Sequence, residues 1–148
     1  MGLLQARPIE GFPGYLISPE GIVIGLERTV NVGRNGICLQ KIPSRIMKLW
    51  INWKKGGYVH ASLSKNNKTT HKQVHRLVAT AFIPNPNSLS ETNHKNGIKT
   101  DNRVENLEWS TRSDNLKHSY RVLGRKHSPM IKKRTPILED IPKDAPLP

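Results

Sequence analysis

A histidine and several asparagines lie within one short stretch of the chain, and their types and spacing could support chemistry on a metal ion. His94 falls in a short predicted strand, Asn106 at the base of a polar loop, and Asn115 on a predicted helix. Imidazole accepts a proton near neutral pH, and an amide offers both a hydrogen-bond acceptor and donors. This order of residues predicts a small hairpin-plus-helix cradle for one metal ion.

The cradle requires a hairpin and a helix to position its side chains, and the sequence predicts both. Residues 91–109 have the pattern of a strand, a long polar loop and a second strand. A helix should follow, with Thr111 or Ser113 as its N-cap and Gly124 at its end. Its predicted buried stripe consists of Leu116, Tyr120 and Leu123.

The N-terminal half of the chain predicts a β-rich region. Residues 9–28 predict two strands around the turn Ser18–Gly21, because Pro19 and Gly21 suit a type I turn. Residues 29–44 lack clear periodicity and predict a loop or an irregular hairpin. A three-stranded antiparallel sheet is predicted from strands at 46–52, 58–63 and 69–73.

A short helix is predicted between this sheet and the polar hairpin. Its apolar face consists of Val74, Leu77, Val78, Ala81 and Phe82. This face should seat the hairpin on the sheet, and Pro84 should help to end the helix. The sequence thus predicts an α+β protein with a β-rich region over residues 1–73, a hairpin-and-helix unit over 74–124, and an extended basic, Pro-rich tail over 125–148.

The charge of the chain favours a polyanionic partner. The chain carries 24 Lys and Arg residues against 11 Asp and Glu, a formal charge of +13, and no acidic residue occurs between Glu27 and Glu91. Such a one-signed block attracts nucleic acid and releases its counterions. The lysines of the predicted sheet could contact DNA phosphates, or could protect exposed strand edges. The two roles are compatible.

Membrane association and secretion are not expected. The sequence has no long amphipathic basic helix and no apolar run of spanning length, and its first residues lack the pattern of a signal peptide. The single Cys38 can form no internal disulfide. A cytoplasmic location is therefore predicted.

A series of short motifs follows in order between residues 74 and 115. They are Val74–Val78, Phe82–Pro86, Asn93–Gly97, Asn106–Trp109 and Asp114–Asn115. In order and spacing they resemble the HNH endonuclease family, in its phage and intron-associated branch. Residues 9–28 also resemble NUMOD4, a small N-terminal module of phage homing endonucleases of this class. The resemblance implies that residues 74–124 form the ββα-metal motif.

The resemblance implies a role for each candidate residue. His94 matches the general base that takes a proton from the water attacking phosphorus. Asn106 matches an asparagine that ties the two sides of the polar loop together. Asn93 and Asn115 match the ligands of one divalent ion, Mg²⁺ or Mn²⁺. His118 is a candidate third ligand or phosphate contact, and solvent exposure is an equal alternative for it.

Asn93 departs from some members of the family, which have Asp at this position. A neutral amide attracts a divalent cation less strongly than a carboxylate, so metal binding is expected to depend largely on the DNA phosphate. Asp101, Glu105 and Asp114 are carboxylates that could assist, although spacing alone does not place them. The chain has neither paired ligands on one helix nor a set of cysteines, which argues against a structural zinc site.

The expected partner is double-stranded DNA. The residues predicted to contact it are Lys48, Lys54, Lys55, Lys65, Lys68, Lys72, His75, Arg76, Lys95, Arg112 and Lys117. For His75, a structural hydrogen bond at the helix interface is at least an equal alternative.

The sequence therefore predicts a metal-dependent DNA endonuclease, encoded by a phage or mobile element and found in the host cytoplasm. As a monomer it should nick one strand and leave a 5′ phosphate and a 3′ hydroxyl. The alternative is a sequence-specific DNA-binding protein that keeps the fold without cleaving. The main reason for it is Asn93, whose neutral amide attracts a divalent cation less strongly than a carboxylate. A basic protein that coats nucleic acid is a third hypothesis, but it leaves the combination of His94, Asn106 and Asn115 unexplained.

Overall fold

The computed structural model describes residues 5–33, 36–121 and 124. Its strands and α-helices are, in chain order, β1 (Arg7–Ile9), β2 (Phe12–Ile17), β3 (Val23–Gly25), β4 (Arg28–Asn31), β5 (Leu39–Ile42), β6 (Arg45–Ile46), β7 (Leu49–Asn52), β8 (Tyr58–Lys65), β9 (Lys68–Gln73), α1 (Val74–Phe82), β10 (Glu91–His94), β11 (Leu107–Ser110) and α2 (Arg112–Arg121). The predicted α+β class is confirmed. No helix within these residues is long and apolar enough to cross a membrane. The predicted tail, residues 125–148, lies outside them.

The first sheet has the strand order β1-β2-β3-β6, and all of its pairs are antiparallel. The predicted turn between β2 and β3 is confirmed, since the N–H of Gly21 donates to the carbonyl of Ser18 at 3.0 Å. Gly21 has a φ of +86°, a conformation that a residue without Cβ adopts at no steric cost. The segment predicted as a loop or irregular hairpin forms the hairpin β4–β5.

The prediction of one continuous strand over residues 46–52 is wrong. The segment divides between two sheets: β6 pairs with β3, while β7 pairs with β8. The N–H of Met47 donates to the carbonyl of Val23 at 2.8 Å, which holds this residue to the first sheet. Leu49 is already opposite Ala61 in the second sheet. The chain therefore has to change direction at Lys48, so the ladder cannot continue.

The second sheet has the predicted three-stranded antiparallel arrangement, with the order β7-β8-β9. Its β8–β9 turn places Asn66 and Asn67 at φ values of 51° and 58°. Successive positive φ angles are typical of the turns that match the twist of a hairpin, and asparagine tolerates them better than most residues.

Helix α1 joins this sheet to the polar hairpin, as its apolar face predicted. Val74 and Val78 are fully buried in the core, whose other members include Tyr15, Ile17 and Leu63. Burying a valine or leucine side chain stabilises a fold by about 1.5–3 kcal/mol relative to exposure. The helix contacts β8 and β9 on one side and β10 and β11 on the other. The hairpin is thereby held in a fixed position relative to the sheets.

Strands β10 and β11 and helix α2 form the ββα unit. Thr111 is the N-cap of α2, because its Oγ1 accepts the N–H of Asp114 at 3.1 Å. The predicted buried stripe is wrong at Leu116, which is 54% exposed, and Leu123 lies outside the described residues. The described part of α2 has no buried side chain, because its contacts with β10 and the following loop are polar.

Candidate active site

A pocket of about 330 Å³ opens between β10 and the first turns of α2. Its lining includes Asn93, His94 and Asn115, three of the residues predicted to form the site. Tyr58 from β8 and Gly97 from the polar loop line it as well. The pocket therefore combines residues from the second sheet, the hairpin and the last helix.

His94 lies at the bottom of this arrangement and is only 5% exposed. Its ring is 5.0 Å from the His75 ring and 6.1 Å from the Tyr58 ring, centre to centre. Burial lowers the pKa of His94 below its ordinary value, while Asn102 and Asp101 act in the opposite direction. The imidazole is therefore neutral at pH 7, the state in which it can accept a proton.

Asn102 contacts the ring of His94 through its side-chain amide. Its Oδ1 lies 3.4 Å from His94 Nε2, and its Nδ2 donates to the carbonyl of Thr100 at 3.3 Å. An amide oxygen can only accept, so this contact is a hydrogen bond in the tautomer that carries its proton on Nε2. The lone pair is then on Nδ1. No role was predicted for Asn102, because its contact with the histidine depends on the path of the polar loop.

Asn106 joins the two sides of the polar loop in the way that was predicted. Its Oδ1 accepts the N–H of Asn96 at 3.0 Å, and its Nδ2 donates to the carbonyl of Asp101 at 2.8 Å. Its own carbonyl accepts the N–H of Lys95 at 2.8 Å. These contacts fix the loop that follows His94. Whether Asn106 is required for activity stays a prediction.

The two asparagines predicted as metal ligands each donate a hydrogen bond to a carboxylate. Asn93 Nδ2 donates to Glu108 Oε1 at 2.8 Å, and Asn115 Nδ2 donates to Glu91 Oε2 at 2.6 Å. Each amide thus uses its NH₂ group within the protein, and its oxygen is left for another partner. Amide oxygens are hard donors of the kind that Mg²⁺ and Mn²⁺ accept, so these residues fit a divalent cation. The described residues contain no cluster of three or more His, Cys, Asp or Glu side chains that could hold a metal ion.

Two of the three carboxylates proposed from sequence as assistants, Asp101 and Asp114, are engaged elsewhere, and Glu105 is exposed outside the pocket. Asp101 is paired with Arg103, with contacts of 2.8 and 2.9 Å, and this guanidinium holds the pKa of the carboxyl well below its usual range. Asp114 accepts a hydrogen bond from Thr111 and pairs with Lys117.

Glu91 lines the pocket instead. Strand alternation could have indicated this position, because Glu91 is two residues before Asn93 and shares its face of β10.

His118 lies one turn after Asn115, but its ring faces the backbone of the hairpin. Its Nε2 is 3.1 Å from the carbonyl oxygen of Lys95, and its Nδ1 is buried without a partner among the described residues. The side chain is partly buried and does not line the pocket. Its role as a third ligand stays a prediction.

Two basic side chains line the pocket. Arg112 was predicted to contact DNA, whereas Lys99 was missed. Lys99 Nζ donates to the carbonyl of Gly56 at 2.6 Å and lies 4.7 Å from the centre of the Tyr58 ring. Both side chains therefore add positive charge to the lining of the pocket.

The assignment of His75 to the DNA surface is corrected by the structure. His75 is 4% exposed and packs beneath Tyr58 and His94. Its Nδ1 has no hydrogen-bond partner among the described residues. Burial, followed by the nearby His94, lowers its pKa to about 3. His75 is a neutral residue of the protein interior that supports the ring of His94.

The other predicted DNA contacts are distributed over the surface. Exposed lysines of the β-rich region are Lys48, Lys54, Lys65, Lys68 and Lys72. Three basic residues near the hairpin are exposed but already contact protein atoms: Arg76 the carbonyl of Ser90, Lys95 the carbonyl of Glu105, and Lys117 the carboxylate of Asp114. The side chain of Lys55 lies outside the described part of the chain.

The sequence of this region is similar to that of a known protein family. Residues 72–117 match the sequence model of a family described as HNH endonuclease. Residues 72–117, called the HNH segment below, are therefore similar to the HNH endonuclease family. The HNH segment comprises the end of β9, helix α1, the hairpin and the first turns of α2, and it includes His94, Asn106 and Asn115. The NUMOD4 resemblance of residues 9–28 stays a prediction.

Relatives of the HNH segment occur in Acanthamoeba polyphaga mimivirus. One uncharacterized HNH endonuclease is 52% identical over 46 residues, which are 31% of this chain and 14% of the relative. A second is 37% identical over 101 residues, which are 66% of this chain and 21% of the relative. The chain therefore spans about a fifth or less of the length of these relatives.

A solved structure resembles the chain beyond its HNH segment. It is described as DNA binding and cleavage by the HNH homing endonuclease I-HmuI, with a TM-score of 0.62 and 28% sequence identity. The similarity covers 82% of this chain and 61% of that chain. The shared fold thus extends from the HNH segment into the N-terminal sheets.

Proposed function

We propose that the protein is a metal-dependent endonuclease that hydrolyses a phosphodiester bond of double-stranded DNA. The observation that carries this proposal is the pocket itself. In it a neutral His94, with Nδ1 available, lies beside Asn93 and Asn115, whose amide oxygens are available to a cation. The match of the HNH segment to a family described as HNH endonuclease supports the same activity.

In this mechanism His94 is the general base. Nδ1 takes a proton from water as the water oxygen forms a bond to phosphorus and the bond from phosphorus to the 3′ oxygen breaks. The 3′ oxygen takes a proton from solvent and leaves as a hydroxyl, His94 returns its proton to solvent, and the phosphate stays on the 5′ end. Asn102 keeps the proton of the resting imidazole on Nε2. Lys99 and Arg112 contact the phosphate oxygens as negative charge develops.

Asn93 and Asn115 would hold Mg²⁺ or Mn²⁺ through their amide oxygens. A divalent cation bound there supplies charge neutralisation at the phosphate and at the departing oxygen. The exposed lysines of the β-rich region would contact the DNA backbone on either side of the site, which gives affinity without sequence choice. One pocket acts on one phosphodiester at a time, so a monomer should nick a single strand.

Supercoiled plasmid with and without Mg²⁺ or Mn²⁺ tests this function. Conversion to open circles that stops with chelator and with His94→Ala is expected. His71→Ala is the matched control, because this exposed histidine on β9 lies outside the pocket and should leave nicking intact. A gel shift confirms that both variants still bind DNA.

The same assay identifies the alternative function. The two candidate ligands are neutral amides, which favours a weak metal site. A weak metal site is the reason for the alternative, a DNA-binding protein that does not cleave. Sequence-selective binding with no cutting under any divalent ion would establish that alternative. Binding without sequence preference and with a steep dependence on salt would indicate a nucleic-acid coat protein.

A further inference from the structure

The candidate metal ligands Asn93 and Asn115 are both neutral, so the negative charge of the site has to come from elsewhere. A cation bound by two amide oxygens keeps its full charge, and a carboxylate close to it stabilises binding far more than an amide does. The charge source is expected among side chains that contact these asparagines. Among the residues that the structure describes, Glu91 and Glu108 are the carboxylates that accept a hydrogen bond from these amides.

The β10–β11 ladder explains how both glutamates reach their partners. Asn93 is directly opposite Glu108 in this antiparallel pair, which brings their side chains together across the strands. Glu91 lies two residues earlier on β10 and therefore on the same face as Asn93. Asn115, from the second turn of α2, contacts Glu91 from the other side. One face of the hairpin thus presents two amide–carboxylate pairs.

The two glutamates differ in their relation to the pocket. Glu91 lines the pocket and is partly buried, and among the described residues only its Oε2 has a hydrogen-bond partner. Its Oε1 is therefore available to a ligand in the pocket. Glu108 does not line this pocket, and its Oε1 accepts the N–H of the Asn93 amide.

We propose that Glu91 provides the anionic donor of the metal site and that Glu108 is a positioning residue for the amide of Asn93. The inference rests on the proposed metal-dependent function. Glu91 binds the cation through Oε1 while its Oε2 retains the hydrogen bond from Asn115. Glu108 accepts the Asn93 N–H, which fixes the orientation of the amide and leaves its oxygen for the cation. Mutation of a residue that hydrogen-bonds to a metal ligand commonly changes metal affinity about 10–100-fold.

This arrangement also explains how the chain retains a metal site with Asn at position 93. The charge that some family members place on the ligand itself is provided here by a neighbour on the same strand face. Asp101 and Asp114 cannot supply it, because their carboxylates are already paired with Arg103 and Lys117.

Metal affinity tests the proposal directly on the full chain. Mn²⁺ binding is followed by the loss of the electron paramagnetic resonance signal of free Mn²⁺, with circular dichroism melts as a check on folding. Glu91→Gln retains an oxygen that can accept from Asn115 but has no charge, so its dissociation constant should rise about 10–100-fold. Glu108→Gln should bind within about threefold of the wild type, because it keeps the acceptor, whereas Glu108→Ala should lose about tenfold.

Glu105→Gln is the matched control, since it removes the same charge from an exposed position outside the pocket. It should bind Mn²⁺ as the wild type does. If the wild type binds Mn²⁺ and nicks DNA but Glu91→Gln binds equally well, the role of Glu91 is overturned while the proposed function stands. Equal binding by Glu108→Ala overturns the role of Glu108 in the same way. A wild type that neither binds Mn²⁺ nor nicks overturns the proposed function itself.

Discussion

The backbone N–H of Val104 donates to the carbonyl of Pro19 at 2.8 Å. This bond joins the polar loop of the HNH segment to the turn of the first hairpin, more than eighty residues earlier in the chain. Gly21, in the same turn, lies against Asn102, and a Cβ added at Gly21 would be 3.0 Å from the Asn102 Cβ. The N-terminal hairpin therefore supports the residue that orients His94.

Gly21→Ala should reduce both stability and nicking. The positive φ of Gly21 costs about 1–2 kcal/mol for a residue with a Cβ, and the new methyl group would displace Asn102 from His94. Gly11→Ala is the control, because Gly11 has a φ of +75° but nothing within 4 Å of the added Cβ. Thermal melts should show a loss of stability in both variants, whereas plasmid nicking should fall only in Gly21→Ala. Equal nicking by the two would show that the turn does not position Asn102.

Asn102→Ala should lower the turnover number of DNA nicking. Asn102 Oδ1 lies 3.4 Å from His94 Nε2, and a hydrogen bond of this kind is worth about 0.5–1.5 kcal/mol, which corresponds to roughly a twofold to thirteenfold loss. KM for DNA should stay unchanged, since Asn102 is buried and does not line the pocket. Asn87→Ala, at an exposed loop position, serves as control. A rise in KM without a change in turnover would contradict a positioning role.

Stability should decrease as the pH falls from 6.5 towards 3, because of His75. The pKa of this histidine is about 3 in the folded protein and near 6.5 in the unfolded chain. Between these values the unfolded state binds a proton that the folded state does not, so acid favours unfolding by up to about 1.4 kcal/mol per pH unit. Above about pH 6.5 His75 is neutral in both the folded and the unfolded state, so it causes no loss of stability there.

Urea unfolding at pH 7 and pH 5 measures this effect, and His75→Gln should show a smaller loss between the two. His71→Gln, a change at an exposed histidine, should keep the wild-type dependence. If His75→Gln had the same dependence as the wild type, the acid sensitivity would come from other groups.

Lys99→Ala should weaken the binding of DNA and lower the dependence of that binding on salt. Lys99 lines the pocket beside Tyr58, and a lysine that neutralises one phosphate contributes about 0.9 to the slope of log affinity against log salt. Lys41→Ala is the control, because Lys41 forms an exposed pair with Glu27 at 3.0 Å. Filter binding over a series of salt concentrations gives both slopes. Equal slopes for wild type and Lys99→Ala would remove Lys99 from the phosphate site.

Local patterns in the sequence were sufficient to predict much of this fold. Helix α1 was found because five apolar residues recur at its period, and the hairpins were found because turn residues separate β-branched runs. Thr111 was identified as a possible cap from its type alone. The positions of His94, Asn93 and Asn115 around one pocket followed from the family motif, and their roles stay predictions.

The features that were missed depend on contacts between distant parts of the chain. The division of residues 46–52 between two sheets is set by the bond from Met47 to Val23, and no local pattern shows which strand is the partner. The burial of His75 requires Tyr58 from β8 above it. The pairing of Glu108 with Asn93 requires the register of β10 and β11. Exposure of Leu116 follows from the polar character of the contacts beneath α2.

The weak attachment of α2 has a consequence for how the site is assembled. This helix holds Asn115, yet in the described part of the chain it has no buried side chain, and polar contacts from Asn115 and His118 link it to the hairpin. Such an element opens at low free energy, so its amide hydrogens should exchange early. A cation and a phosphate held between hairpin and helix would slow that exchange, and the complete catalytic centre would then exist mainly while substrate is bound.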